Sequence, residues 1–152
     1  MKKNSVSLGI LRLDYDYPPA LGDIDCADSF DYDVYYRVIP GLTFKMCQSG
    51  EIIKSVYENI KTAVLWLNEK DVNGITGDCG FMINIQKIVC KYTDKPVFLS
   101  ALVQLPTLVH SYQKSEKIAI LTANGNSLLQ MSDLLYDLCN VNIDSEKLVI
   151  VG

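Results

Sequence analysis

The sequence has no excess of positive charge, and this absence excludes one large class of partners. Its 152 residues include 14 Lys and Arg against 18 Asp and Glu, which gives a net charge of −4 at pH 7. Proteins that bind nucleic acid neutralise phosphate groups with clustered basic side chains. We therefore expect no nucleic-acid partner. With 49% hydrophobic residues, the chain has enough apolar side chains for the core of a globular domain.

The sequence also has few of the side chains that bind metals or form disulfide frameworks. It contains five cysteines, widely spaced and without a Cys-x-x-Cys pair, and one histidine, His110. Structural zinc sites need four such ligands at short spacings, and disulfide-rich domains use an even number of cysteines. We therefore expect no metal site and no disulfides, as is usual in the reducing cytoplasm.

Long apolar runs and nucleotide-binding motifs are missing as well. No run approaches the length that crosses a bilayer, and the N-terminal lysines precede a strand-like segment rather than a signal peptide. Neither the Gly-x-Gly-x-x-Gly pattern nor the Gly-x-x-x-x-Gly-Lys-[Ser/Thr] pattern occurs, so nucleotide binding has no specific support. We expect a cytoplasmic protein without membrane contact.

The sequence does contain an alternation of strand-like and helix-like segments. Short apolar or β-branched runs predict strands at 6–13, 34–39, the stretch leading into Cys79, 96–100, 117–121 and 147–151. Apolar residues at helical spacing predict helices from about 51 to 67, at 81–90, from 101 to about 112 and at 128–138. Because parallel strands need crossover helices, this alternation predicts an α/β fold with a mostly parallel sheet and helices on both faces.

A long segment at 14–33 follows the first predicted strand. It carries several aspartates, several aromatic residues and the consecutive Pro18 and Pro19, which exclude the interior of a sheet. Ordered loops of this length in compact domains are usually functional or act as lids. The alternative is an acidic, solvated excursion at the surface.

Cys79 lies in the glycine-flanked stretch Gly77-Asp78-Cys79-Gly80, where a strand runs into a predicted helix. The first N–H groups of a helix are unpaired and its dipole is positive there, which favours a thiolate. Cys79 is therefore a candidate reactive thiol with a lowered pKa. The alternative is a small hydrophobe that fills the corner. Asp78 either caps the helix, which we favour, or points inward and raises the thiol pKa.

Right-handed crossovers place the strand-to-helix loops at one edge of a parallel sheet, where ligands bind. Three polar loops are expected to meet there: the loop after Leu13, the loop around Cys79, and the loop at 122–127. Asp14, at the start of the first loop, is a candidate for orienting an ammonium group of the substrate. Its alternative role is to begin a turn.

Five segments together resemble the aspartate/glutamate/hydantoin racemase superfamily, and above all its aspartate/glutamate racemase-family branch. They occur in the family's order and extend over nearly the whole chain. The segments are Tyr-Pro-Pro-Ala-Leu-Gly-Asp-Ile at 17–24, Tyr-Arg-Val-Ile-Pro-Gly at 36–41, Ile-Thr-Gly-Asp-Cys-Gly-Phe at 75–81, Pro-Val-Phe-Leu-Ser at 96–100 and Ile-Ala-Ile-Leu-Thr-Ala at 118–123.

The resemblance implies a flavodoxin-like racemase lobe, no cofactor, and a small carboxylate or amino acid such as aspartate or glutamate as substrate. Cys79 matches the catalytic cysteine of the family's first lobe, which moves a proton at the α-carbon. Thr122 and Asn124 match the position of a loop that holds the substrate carboxylate, with Ala123 between them. Asp78 and Gly80, on either side of the cysteine, complete the predicted substrate-binding set.

The resemblance also implies a division of the chain into lobes. Residues 1–113 are expected to form a first α/β lobe with the acidic aromatic loop at 14–33, and residues 114–152 to begin a second, incomplete lobe. In the family a second cysteine follows the strand that matches 148–151. Racemase activity is therefore expected only together with residues beyond 152 or a second chain, so the expected partner is a homodimer copy or a C-terminal half.

Two alternatives to a racemase stay open at this point. The chain is either a non-catalytic or degenerate module that binds small carboxylates, or a decarboxylase or cis–trans isomerase of the same superfamily. The second group uses the same fold and a single essential cysteine. The residues alone do not separate these functions.

Overall fold

The computed structural model describes residues 6–152, which form two parallel β-sheets with helices packed on them. Residues 1–5 lie outside the described residues. They include the start of the first predicted lobe and the N-terminal lysines on which the prediction about a signal peptide partly depends. None of the helices within 6–152 combines the length and the apolar character that spanning a membrane requires.

The larger sheet has four strands: β1 (Ser7–Arg12), β2 (Asp33–Val38), β3 (Gly74–Gly77) and β4 (Val97–Phe98). Their order across the sheet is β2-β1-β3-β4, and all neighbours are parallel. This is the order of flavodoxin-like sheets, in which the chain moves from β1 first to one side and then to the other. The crevice for ligands in such sheets lies at the carboxyl ends of β1 and β3, where the direction changes.

The smaller sheet pairs β5 (Ile118–Leu121) with β6 (Leu148–Val151) in parallel, and it is separate from the larger sheet. Several apolar side chains of this sheet stay exposed, and Leu121 is 79% exposed. The Lys147 ammonium, just before β6, donates to the carbonyls of Val109 and Tyr112 at 2.6 and 2.7 Å. This contact fixes the smaller sheet to the end of the preceding helix.

Helical segments connect the strands. The α-helices are α1 (Phe44–Ser49), α2 (Lys54–Glu69), α3 (Gln86–Val89), α4 (Leu105–Ser111), α5 (Gly125–Leu129) and α6 (Ser132–Cys139). The 3-10 segments are Ala27–Ser29, Gly80–Ile85 and Ala101–Gln104. One buried core joins both sheets, since apolar side chains of α5, α6 and β6 belong to the same cluster as those of β1, α2 and β3.

The predicted α/β class, with a mostly parallel sheet and helices on both faces, is confirmed. In β1 the residues Ile10 and Leu11 point to opposite faces and are both fully buried, so both faces of the central strand are covered. A Cβ at Gly9 would lie 3.0 Å from the methyl groups of Leu67. The absence of a side chain at Gly9 therefore lets α2 pack directly on the strand.

The predicted helix from about 51 to 67 is wrong at its beginning. Thr43 Oγ1 accepts the N–H of Met46 at 3.3 Å and starts a short helix, α1, that the sequence pattern does not predict. Gly50, with φ 72°, ends α1 in the left-handed conformation that glycine adopts at low cost. The main helix, α2, begins only at Lys54.

Two other predicted helices are divided in the structure. The segment 81–90 consists of the 3-10 turns at Gly80–Ile85 followed by the four-residue α3. The segment 128–138 belongs to α5 and α6, which are separate helices. The proposed division into lobes at 113/114 stays a prediction, although the chain passes from the larger to the smaller sheet between β4 and β5.

Candidate active site

A pocket of about 450 Å³ opens between the carboxyl end of β3 and the smaller sheet. The loops after β3, β4 and β5 supply its polar and small residues: Asp78, Cys79, Gly80, Ser100, Thr122 and Ala123. Apolar side chains form the remaining wall, among them Phe44, Phe81, Leu102, Leu105, Leu108 and Leu128. The pocket therefore combines a thiol and a carboxyl group with a largely apolar surface, as small-molecule sites do.

Cys79, the predicted catalytic residue, is half-buried and lines this pocket. It directly precedes the 3-10 segment, with extended backbone at φ −135° and ψ 129°. Burial raises the pKa of the thiol, and the N–H groups of Phe81 and Met82 offset this only in part. The predicted lowering of the pKa is therefore wrong, because desolvation outweighs the donors of a short 3-10 segment.

Asp78 turns inward and does not cap a helix, so the interpretation favoured above is wrong. Its Oδ2 accepts the backbone N–H of Leu13 at 3.0 Å, and the 3-10 segment has no side-chain cap. Its Oδ1 is buried and has no hydrogen-bond partner among residues 6–152. Burial raises the pKa of the Asp78 carboxyl to about 6, and its negative charge adds to the raised pKa of the Cys79 thiol.

A buried ion pair that the sequence does not predict lies next to Asp78. Arg12 Nε is 3.0 Å from Asp25 Oδ1, and the Asp25 side chain is 1% exposed. The Tyr15 hydroxyl donates to Asp25 Oδ2 at 3.0 Å and also lowers the pKa of Asp78. This cluster fixes part of the segment 14–33 to the end of β1. The mixture of aspartates and tyrosines in that segment is a signal for such a cluster, but it does not single out Asp25.

The loop after β5 supplies two of its three predicted residues to the pocket. Thr122 and Ala123 line it together with Gly80. Asn124 lies outside that lining and caps α5, since its Oδ1 accepts the N–H of Ser127 at 3.0 Å. The structure therefore gives Asn124 a role in starting a helix, and Thr122 is the residue with a polar side chain that this loop places in the pocket.

Asp14 is the other predicted site residue that the structure places elsewhere. Its exposed carboxylate accepts the N–H of Gly41 at 2.7 Å, and its own N–H donates to the carbonyl of Leu42 at 2.9 Å. These bonds hold the turn that follows β2. Asp14 does not line the pocket that contains Cys79, so the structure supports its alternative role in a turn.

The other cysteines differ in their surroundings. Cys47, on α1, is fully buried, and its pKa is raised to about 12 by burial and by the nearby Cys79 and Asp78. Cys139 is buried and its thiol donates to the carbonyl of Leu102 at 3.6 Å. Cys90 is exposed. Within residues 6–152, no group of three or more His, Cys, Asp and Glu side chains is placed to hold a metal ion.

Comparison with known proteins finds similar sequences over nearly the whole chain. Dimethylsulfoniopropionate lyase 6 of Emiliania huxleyi (strain CCMP1516) is 54% identical over 146 residues, which are 96% of this chain and 38% of the relative. Dimethylsulfoniopropionate lyase 7 of the same strain is 53% identical, over 96% of this chain and 43% of the relative. The dimethylsulfoniopropionate lyase of Durusdinium sp. clade D is 46% identical over 147 residues, which are 96% of this chain and 49% of the relative.

The chain thus spans less than half the length of these relatives. No family model matches the sequence. Among solved structures, a glutamate racemase from Francisella tularensis subsp. tularensis SCHU S4, in complex with D-glutamate, gives a TM-score of 0.43 at 14% identity. That alignment covers 98% of this chain and 59% of the racemase.

These relatives contradict the assignment to the aspartate/glutamate/hydantoin racemase superfamily. Sequences 46–54% identical to this chain are named as lyases of dimethylsulfoniopropionate, not as racemases or isomerases of amino acids. The predicted racemase function is therefore wrong. The alternatives of a decarboxylase and a cis–trans isomerase also differ from the lyase activity for which these relatives are named. The more general prediction, that the chain belongs to an enzyme, agrees with the names of these relatives, which are all enzyme names.

Proposed function

We propose that this chain supplies the thiol side of an active site that cleaves dimethylsulfoniopropionate, with Cys79 as the base. The observation that carries the proposal is the placement of the Cys79 thiol in the wall of a pocket of about 450 Å³, beside a carboxyl group and opposite the loop after β5. The 46–54% identity to lyases of this substrate supports the choice of reaction.

The chemistry of the substrate explains why a base is needed. Its name describes a carboxylate, two carbons and a dimethylsulfonium group in a row. The thiolate takes a proton from the carbon next to the carboxylate, and the C–H electron pair forms a C=C bond. The C–S bond breaks and its electron pair leaves with sulfur, which gives acrylate and neutral dimethyl sulfide. The thiol then loses its proton to solvent and is restored as the thiolate.

The raised pKa of Cys79 fits this reaction when the charge of the substrate is included. Burial favours the neutral thiol in the pocket without a ligand. A sulfonium group bound within a few ångströms favours the thiolate, because an opposite charge lowers the pKa of an acid. The substrate therefore promotes formation of the base that attacks it.

Thr122 and Ala123 are assigned to the carboxylate end of the substrate. Both line the pocket from the smaller sheet, whereas Cys79 lines it from the larger one. The Thr122 hydroxyl and the Ala123 N–H are donors suited to a carboxylate, whose charge grows when the neighbouring carbon is deprotonated. A substrate that spans the pocket then has its reactive carbon between the two sides.

The proposal is tested with the complete product of the gene and dimethylsulfoniopropionate, with dimethyl sulfide measured by gas chromatography. We expect release by the unaltered protein and a loss of about 100-fold or more in Cys79→Ser, since serine is a far weaker acid than cysteine. Cys90→Ser is the matched control, because Cys90 is exposed and does not line the pocket, and it should retain the rate. No release by the unaltered protein contradicts the lyase assignment, and full activity of Cys79→Ser contradicts the role of Cys79.

A further inference from the structure

Among residues 6–152, the Asp78 carboxylate has no basic side chain as an ion-pair partner. The basic side chain that lowers the pKa of Asp78, Arg12, is paired with Asp25 at 3.0 Å. Asp78 Oδ2 accepts the Leu13 N–H, and the Tyr15 hydroxyl, which lowers the pKa of Asp78, donates to Asp25 at 3.0 Å. A half-buried carboxylate in this state is costly when ionised, and a bound cation offsets that cost.

We infer that Asp78 selects the cationic end of the substrate, and that it favours a cation without N–H donors over an ammonium group. This inference rests on the proposed function and adds the residue that recognises the sulfonium. Asp78 lines the pocket immediately before Cys79, so a cation held there also lies near the base.

The state of the two carboxylate oxygens explains the preference for a sulfonium. Oδ2 already accepts the Leu13 N–H, and Oδ1, although it has no partner among residues 6–152, is buried, so an N–H group that enters the pocket reaches neither oxygen. An ammonium group that enters the pocket needs an acceptor for each N–H, and a buried donor without one costs free energy. A sulfonium has no N–H groups and needs only the negative charge.

The wall around Asp78 suits methyl groups carried by such a cation. Phe44 and Phe81 meet edge to face with ring centroids 6.1 Å apart, and both line the pocket. Aromatic rings attract cations and pack against methyl groups at the same time. The combination of two rings and one carboxylate is the chemistry that recognises an alkylated cation.

The charges that face Asp78 come from three parts of the fold. Arg12 lies on β1, Tyr15 and Asp25 lie in the segment 14–33, and the thiols of Cys79 and Cys47 lie beside it. Burial places the pKa of Asp78 at about 6. Because Arg12 is paired with Asp25, ionisation of Asp78 makes the pocket more negative, and cation binding should strengthen as the pH rises through about 6.

Three competitive inhibitors of nearly the same shape test this inference on the complete gene product. They are 3-(trimethylammonio)propionate, a quaternary cation, 3-(dimethylammonio)propionate, which has one N–H, and 4-methylpentanoate, which is neutral at that end. We expect the quaternary cation to bind about tenfold more tightly than each of the other two in the unaltered protein. Asp78→Asn should reduce this preference to about twofold or less.

The controls separate recognition from structural damage. The amide oxygen introduced by Asp78→Asn can still accept the Leu13 N–H, so the fold is expected to persist, and circular dichroism checks this. Asp71→Asn removes the same charge from the loop before β3, where Asp71 is exposed and paired with Lys95, and it should keep the full preference. Asp78→Asn should also make Cys79 react faster with iodoacetamide, because a like charge beside the thiol is removed. Loss of structure would also expose the thiol, so the rates are compared only where circular dichroism shows that Asp78→Asn keeps the fold.

The outcomes distinguish this inference from the proposed function. Dimethyl sulfide release by the unaltered protein, with an unchanged cation preference in Asp78→Asn, overturns the role of Asp78 and leaves the lyase assignment intact. Absence of release by the unaltered protein overturns the lyase assignment, and the inference with it. Tighter binding of 3-(dimethylammonio)propionate than of the quaternary cation contradicts the stated preference even when the lyase reaction occurs.

Discussion

Asp78 accepts the backbone N–H of Leu13 at 3.0 Å, and its own N–H donates to the carbonyl of Leu11 at 3.1 Å. The loop that carries Cys79 is therefore fixed to the end of β1 by two hydrogen bonds from one residue. This is the place in a β2-β1-β3-β4 sheet where ligands are expected to bind. The pocket wall that carries Asp78 and Cys79 is thus held on the central, buried strand of the larger sheet.

The hydrogen bond from the Leu13 N–H to the Asp78 side chain predicts a difference in stability between two substitutions at Asp78. Asp78→Ala leaves the Leu13 N–H without an acceptor, whereas Asp78→Asn keeps one. Both variants lack the charge, so the alanine variant should be less stable than the asparagine variant by about 1–3 kcal/mol. Urea unfolding followed by circular dichroism measures this difference. Equal stability of the two variants would show that the bond contributes nothing.

The pKa of Asp78 predicts how stability depends on pH. It rises from 3.8 to about 6 on folding, so between these values the folded protein binds more protons than the unfolded chain. Stability from this group is present below pH 3.8 and is lost as the pH rises to about 6. The free energy of unfolding of Asp78→Asn, relative to the unaltered protein, should therefore increase through this window and level off above it. A constant difference from pH 3.8 to 6 would contradict the raised pKa.

The surroundings of the thiols predict the order in which they are alkylated. Near neutral pH, iodoacetamide should modify exposed Cys90 about tenfold or more faster than Cys79, whose pKa is raised by burial. Cys47, fully buried with a pKa of about 12, should react more slowly still. Peptide mass spectrometry at successive times gives the order, and unfolding in urea should make the rates similar. Fast alkylation of Cys79 in the folded protein would support the lowered pKa that the sequence predicts.

Two glycines of β3 provide a matched test of packing under the pocket. A Cβ at Gly77 would lie 2.7 Å from Met82 Sδ and 2.9 Å from the Leu99 carbonyl oxygen. Gly77→Ala should therefore destabilise the protein by about 1–3 kcal/mol, because the backbone oxygen cannot move aside without disturbing the loop after β4.

Gly74→Ala is the control for that substitution. A Cβ at Gly74 would be 3.5 Å from the Pro96 carbonyl oxygen, which is an ordinary contact. Its effect on stability should stay within about 0.5 kcal/mol. Thermal unfolding of both variants measures the difference, and similar melting temperatures would contradict the close approach at Gly77.

The sequence predicts the α/β class because the strands and helices differ in the period of their apolar residues, which is a local property. The same property does not distinguish an α-helix from 3-10 turns, so the apolar run at 81–85 is predicted as a regular helix and is not one. The missed helix α1 depends on Thr43 and Gly50, two residues of types that also occur in ordinary loops.

The site is predicted in part for a related reason. Cys79, Asp78 and Gly80 are found from one local pattern, and Thr122 and Ala123 from the position of a loop. The orientation of Asp78 depends on Leu13, 65 residues away in the sequence. The buried pair of Arg12 and Asp25 depends on how the segment 14–33 folds back. The reaction that we propose depends on the leaving group of the substrate, which the pattern of residues does not indicate.

The two walls of the pocket belong to separate hydrogen-bonded ladders, one leading to Cys79 and the other ending at Leu121. The distance between the two walls is therefore set by side-chain packing, which permits relative motion more readily than the hydrogen bonds of a continuous sheet do. Under the proposed function, a zwitterionic substrate that contacts both walls would stabilise one spacing of the two sheets, so substrate binding and the relative position of the sheets would be thermodynamically coupled.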